Sequence, residues 1–121
     1  MSKLLIVDDE PDVREFAKSF FKKRNIDVLT ASGGLEALEI ISQESPDLIL
    51  LDVRMEEMTG IEVLRELRTR NSNCKVIMVT GVDDDEVIVE ANQLGVLGYI
   101  HKPLILDELE KIVLAKLDKP S

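Results

Sequence analysis

Five short apolar runs decide what this chain can fold into: residues 4–7, 28–31, 48–51, 76–79 and 97–100. Three of them, LLIV, LILL and VIMV, are continuous rather than alternating, which is the pattern of strands covered on both faces. Longer stretches with helical spacing lie between the runs. Val13, Phe16, Ala17 and Phe20 share a stripe after Pro11, a residue that suits a helix start because its missing N–H costs least there. Leu35, Leu38 and Ile41 or Ser42 recur after Gly33-Gly34, and Ile61, Leu64 and Leu67 form a third set. A fourth stretch runs from about Asp84 to Leu94, with acidic residues in its first turn and Gly95 as its C-cap. A fifth starts near Leu106 and carries Leu109, Ile112, Val113 and Lys116 on one face. Strand followed by helix, five times over, implies an α/β fold: a parallel sheet with helices on both faces. No repeat, linker or low-complexity tract divides the 121 residues, so 1–121 are expected to form one domain.

A chain of this length buries most of the surface that its unfolded form exposes, and it needs no disulfide. Cys74 is the sole cysteine, which excludes an intramolecular disulfide and a multi-cysteine metal site and fits a reducing compartment. With a net charge of −9 and 3% aromatic residues, the chain is poorly suited to a phosphate backbone, stacked bases or an anionic membrane. No apolar run has the length of a signal peptide or a transmembrane helix. A cytoplasmic protein with no direct nucleic-acid or membrane partner is expected.

In an open parallel sheet, ligands bind beyond the carboxyl ends of the strands. Asp8, Asp9 and Glu10 follow the first run, Asp52 the third, Thr80 and Gly81 the fourth, and His101, Lys102 and Pro103 the fifth. One rim of the sheet can therefore gather at least three carboxylates, a hydroxyl and an ammonium. Clustered carboxylates repel unless one is protonated or a cation sits among them. A hard, oxygen-loving ion such as Mg²⁺, or Mn²⁺, fits such a cluster. The lysine supplies a point charge for an anion, and the threonine hydroxyl can donate to the anion's oxygen. These are parts needed to move a phosphoryl group, with an aspartate able to act as nucleophile and form an acyl phosphate. Taken singly, each residue has a plainer reading: Asp8, Asp9 or Thr80 as a helix cap, Lys102 as a solvated loop residue. Their coincidence at successive strand ends favours a site. His101, the one histidine, and Cys74 read as a loop residue and an inert thiol.

With these residues in place, LLIVDDE, ASGGLEAL, PDLILLDVRMEEMTG, VIMVTG and GYIHKP resemble the response-regulator receiver domains of two-component signalling, over essentially the whole chain. The resemblance implies a doubly wound, flavodoxin-like sheet with strand order 2-1-3-4-5. It implies that Asp52 is phosphorylated by a histidine kinase or a phosphotransfer protein. It implies that Mg²⁺ is bound directly by Asp9, Asp52 and the backbone carbonyl of Arg54, and by Asp8 through a water. Thr80 and Lys102 would hold the phosphoryl oxygens, the Lys102–Pro103 bond would be cis, and Tyr99 would follow the state of Thr80. The surface made by the fourth helix, the fifth strand and the fifth helix would then change its affinity for an output protein or effector domain. Such a domain is a switch that catalyses only its own phosphoryl uptake and slow release. The chain departs from the family pattern at Gly33, at Glu56 where a proline is usual, and at Arg54 and Val82, two residues after Asp52 and Thr80. Arg54 and Val82 offer no acceptor to orient an attacking water, so slow self-dephosphorylation is expected.

Three other readings compete. A haloacid-dehalogenase-type hydrolase needs an acid two residues after its nucleophile, and Arg54 cannot serve at neutral pH. A flavin carrier needs a glycine- and hydroxyl-rich phosphate loop, whereas DDEPD repels phosphate. A degenerate receiver, binding proteins without phosphorylation, differs from the main reading only in whether Asp52 takes up a phosphoryl group.

Overall fold

The computed structural model describes residues 2–70, 74–81 and 85–118, apart from the side chains of residues 106 and 118. The elements alternate as the apolar runs predict: β1 (Lys3–Val7), α1 (Pro11–Lys22), β2 (Asp27–Ala31), α2 (Gly34–Glu44), β3 (Leu48–Asp52), α3 (Gly60–Thr69), β4 (Val76–Thr80), α4 (Asp85–Gln93), β5 (Gly98–His101) and α5 (Leu106–Asp118). The strands form one parallel sheet in the order β2-β1-β3-β4-β5. This is the doubly wound, flavodoxin-like order, and it makes β1 and β3 the centre and β2 and β5 the edges.

Period-two alternation sends successive side chains of each strand to opposite faces. Leu5, Val7, Ile49, Leu51, Val76 and Met78 pack with α2, α3 and α4 on one face. Leu4, Ile6, Leu48, Leu50, Ile77 and Val79 pack with α1 and α5 on the other. Both faces of β1, β3 and β4 are covered, which is why their sequences are apolar without a break. Burying each such Leu, Ile or Val contributes about 1.5–3 kcal/mol. The edge strand β2 is only half-buried for most of its length, so its apolar signal is weaker.

Three local details differ from the sequence expectation. The stripe predicted for α1 is turned: Ala17 and Phe21 are buried, whereas Phe16 is 51% exposed. Residues 17 and 21 are one turn apart and point at the sheet. Phe20 lies at the edge of that face, its ring edge-on to Phe21 with centroids 5.0 Å apart and capped by the Arg24 guanidinium. Leu35 is 66% exposed at the start of α2, where Ala37, Leu38 and Ile41 face the core. The fifth strand runs through His101, which spacing alone left in a loop. The predicted helix start at Asp84 lies outside the described residues, and α4 is described from Asp85. It ends at Gln93, one residue short of the expected Leu94, and Gly95 follows with a φ of +78°, the left-handed conformation that glycine adopts most readily.

Candidate functional site

The order β1-β3-β4-β5 delivers Asp8, Asp52, Thr80 and Lys102 to one rim of the sheet. Their backbone is closely tied. The Val53 amide donates to the Val79 carbonyl at 3.0 Å, and the Lys102 amide donates to the Thr80 carbonyl at 2.8 Å. The loop after Asp52 returns at once. Thr59 caps α3 in a reciprocal box with Glu62, and the Gly60 amide donates to the Val53 carbonyl at 2.9 Å. A Cβ at Gly60 would lie 2.3 Å from the Asp52 carbonyl oxygen. Only a residue without a side chain lets α3 start against the strand end that carries Asp52.

Asp8 and Asp52 are almost wholly buried, at 3% and 2% exposure. The Lys102 ammonium lies 3.2 Å from Asp52 Oδ2, and 3.8 Å from both Asp8 Oδ2 and Glu10 Oε1. Asp52 Oδ1 accepts from the Arg54 amide at 3.3 Å, and Asp8 Oδ1 from the Glu10 amide at 2.9 Å. Loss of hydration pushes the Asp52 carboxyl up to about 6, and the neighbouring Asp8 charge adds to the rise, against the pull of Lys102. Burial likewise raises Asp8. Burial acts to lower Lys102, but the charge and hydrogen bond of Asp52, with Asp8 and Glu10, outweigh it and hold the ammonium above its ordinary value. It is therefore a fixed positive charge at neutral pH.

The carboxylates of Asp8, Asp9 and Glu10 approach one another within 4.8 Å. Two buried carboxylates, Asp8 raised by burial and Asp52 by burial and the Asp8 charge, beside a third and a fourth, are a donor set suited to a hard divalent ion. The set the resemblance implies differs in emphasis: it counts Asp9, Asp52 and the Arg54 carbonyl, whereas the close cluster here contains Glu10, and Asp52 faces Lys102. The DDE run was the signal for Glu10.

Thr80 is fully buried, and its Oγ1 lies 3.0 Å from His101 Nδ1. This contact is absent from any reading of the motifs, yet strand alternation and the Thr80–His101 register pair could have found it. Tyr99 is half-buried, and its hydroxyl lies within hydrogen-bond reach of two acceptors on α4, the Ile88 carbonyl at 3.1 Å and Asn92 Oδ1. The Lys102–Pro103 bond is cis. Arg54 is exposed beside Asp52, and Val82 lies outside the described residues. An apolar cleft of about 560 Å³ opens next to Lys102 between α1 and the loop after β5, with Val13, Phe16, Pro103 and Leu104 in its walls.

The sequence profile of the response regulator receiver domain matches residues 4–114. The chain belongs to the response regulator receiver family. This receiver is 37% identical over 111 residues to sporulation initiation phosphotransferase F of Bacillus subtilis, covering 92% of the chain and 90% of that protein. It is 35% identical to the chemotaxis protein CheY of Listeria monocytogenes, covering 92% of the chain and 98% of the relative. With the regulatory protein AtoC of Escherichia coli it shares 38% identity over 93% of the chain, but spans only 24% of that protein. Among solved structures, a Francisella response-regulator receiver domain superposes with a TM-score of 0.89 at 33% identity, covering 97% of each chain. A CheY-like receiver from Methanospirillum hungatei reaches 0.91 at 30% identity, covering 98% of this chain and 94% of the other. Receivers are phosphorylation-dependent signalling switches of two-component systems, phosphorylated on aspartate and binding Mg²⁺ at an acidic pocket. They work with histidine kinases or phosphotransfer proteins, and often with output domains. Among the described residues, no helix is long and apolar enough to cross a membrane.

Proposed function

We propose that this receiver accepts a phosphoryl group on Asp52 from a phosphohistidine of a kinase or phosphotransfer protein, and that its α4–β5–α5 surface then changes affinity for an output partner. The observation that carries the reading is the Lys102 ammonium held against the buried Asp52 carboxylate, 3.2 Å from Oδ2. At pH 7 a carboxyl at about 6 is mostly ionised and can act as a nucleophile. Asp52 attacks the phosphorus, the donor's phosphorus–nitrogen bond breaks, and an acyl phosphate remains. Lys102 and Thr80 hold the transferred oxygens, with the lysine supplying the charge-assisted contact. Asp9, Asp52 and the Arg54 carbonyl, with Asp8 through a water, would hold Mg²⁺ or Mn²⁺, which offsets the charge of carboxylates and phosphoryl oxygens alike. The apolar cleft beside Lys102, which borders the acidic rim at Glu10, offers a donor helix a place to dock.

Acetyl phosphate with Mg²⁺ tests this by intact mass. One phosphoryl group should appear on the wild type and none on Asp52→Asn. Lys102→Ala should slow uptake by about ten- to hundred-fold, the size of a lost charged hydrogen bond. An unmodified wild type, or the same adduct on Asp52→Asn, overturns the assignment and favours a phosphorylation-independent binding module.

A further inference from the structure

Thr80 ends β4 on the face shared by Val76 and Met78, and His101 ends β5 on the face shared by Tyr99. The two are register partners in neighbouring parallel strands, and strands so paired lie about 4.8 Å apart. The sheet therefore sets the two side chains next to each other on one face. Thr80 is fully buried, and a buried hydroxyl needs an acceptor for its hydrogen. Nδ1 of His101 lies within reach at 3.0 Å. A threonine hydroxyl has a single hydrogen to donate. It cannot serve Nδ1 and a phosphoryl oxygen at once. The Tyr99 hydroxyl, by contrast, is committed to α4 through Ile88 and Asn92.

We propose that His101 is a positioning residue for Thr80: with no phosphoryl group on Asp52, Nδ1 accepts the hydroxyl hydrogen, and Thr80 must release that bond to reach a phosphoryl oxygen. The inference rests on the role given above to Asp52 and Thr80. His101 is exposed, so water replaces the lost donor at little cost to the ring. The cost of release falls on Thr80, and the latch restrains the switch. It also makes the exposed ring at the sheet edge a direct partner of the group that meets the phosphoryl oxygen.

The chain has one histidine, so ¹⁵N spectra of the ring show a single residue. Beryllofluoride with Mg²⁺ stands in for the phosphoryl group. The Nδ1 signal should shift on saturation, as its hydrogen-bond donor changes. His101→Ala should bind beryllofluoride about 2- to 10-fold more tightly, the range expected for removing one neutral hydrogen bond that opposes the bound state. His101→Asn, whose side-chain oxygen can take the place of Nδ1, should return the affinity to that of the wild type. An Nδ1 signal that stays still while amides around Asp52 respond overturns the latch. So does a His101→Ala variant that binds no more tightly, or a His101→Asn variant that behaves like it. A wild type whose amides around Asp52 ignore beryllofluoride overturns the Asp52 assignment instead, and the latch with it.

Discussion

Replacing Asp52 by asparagine should make the protein more stable at neutral pH, although it removes a partner of Lys102. The carboxyl is 2% exposed and sits beside Asp8. Moved from its ordinary 3.8 to about 6, it is ionised at pH 7.5 in the folded protein at a cost of about 3 kcal/mol. Asparagine keeps the shape and the bond from the Arg54 amide without the charge. That value already includes the pull of Lys102, which keeps Asp8 and Glu10 at 3.8 Å in the variant. A gain of about 2–3 kcal/mol is expected, or roughly 3–5 °C per kcal/mol for a domain of this size. The pH dependence identifies the cause. Because the folded protein holds the Asp52 proton more tightly than the unfolded chain does, the penalty is complete above about 6 and fades as pH falls toward 3.8. The advantage of Asp52→Asn should therefore be largest at pH 7.5 and shrink toward pH 4, while the raised Asp8 acts in both proteins. Urea unfolding at several pH values, without divalent ions, measures the gap. A gap that is constant with pH, or a variant less stable than wild type at pH 7.5, refutes the reasoning.

Divalent ions should act on the same repulsion: Mg²⁺ at ten times its dissociation constant should stabilise the wild type by about 1.4 kcal/mol, and Asp9→Ala should lose most of that gain in thermal melts. Gly60→Ala should destabilise by more than about 2 kcal/mol in urea titrations, because its Cβ meets the Asp52 carbonyl oxygen at 2.3 Å and neither backbone can yield cheaply. Arg54→Asn should speed loss of the acyl phosphate, read by intact mass after the phosphodonor is removed, because asparagine offers an acceptor where the exposed arginine offers none.

The three central strands were legible because a strand covered on both faces has no room for polar alternation. That same density of signal fails at the edges. The β5 run looked finished at Ile100, since His101 breaks the apolar pattern, yet the backbone pairs on to Thr80. In α1, Phe16 and Phe21 are equally apolar, and only the angle at which the helix meets the sheet puts Phe21 inside and Phe16 outside. Spacing fixes a helix's stripe to within about one residue's turn, or about 100°. The acidic rim was legible as a set because carboxylates at the ends of both β1 and β3, with a hydroxyl and an ammonium at the ends of β4 and β5, have no packing reason to coincide. Its internal partnerships were not: which acid faces Lys102 and which joins the tight cluster depends on side-chain directions that no motif encodes. The contact between Thr80 and His101 belongs to register, which becomes readable once strand order is known.

The sheet also works as a partition. Its two apolar clusters share no residue, and the groups gathered at the rim come from different sides of it. Thr80 continues the face of Val76 and Met78, whereas Lys102 leads into the cleft that α1 shares with Pro103 and Leu104. Chemistry on Asp52 would therefore border both apolar clusters, one through Thr80 and the other through Lys102. A molecule seated in the cleft and another resting on α4 need not compete for ground, and side chains on one side can be exchanged without repacking the other. Two partners recognised on opposite sides of the sheet would owe their separation to sheet geometry before any particular surface residue.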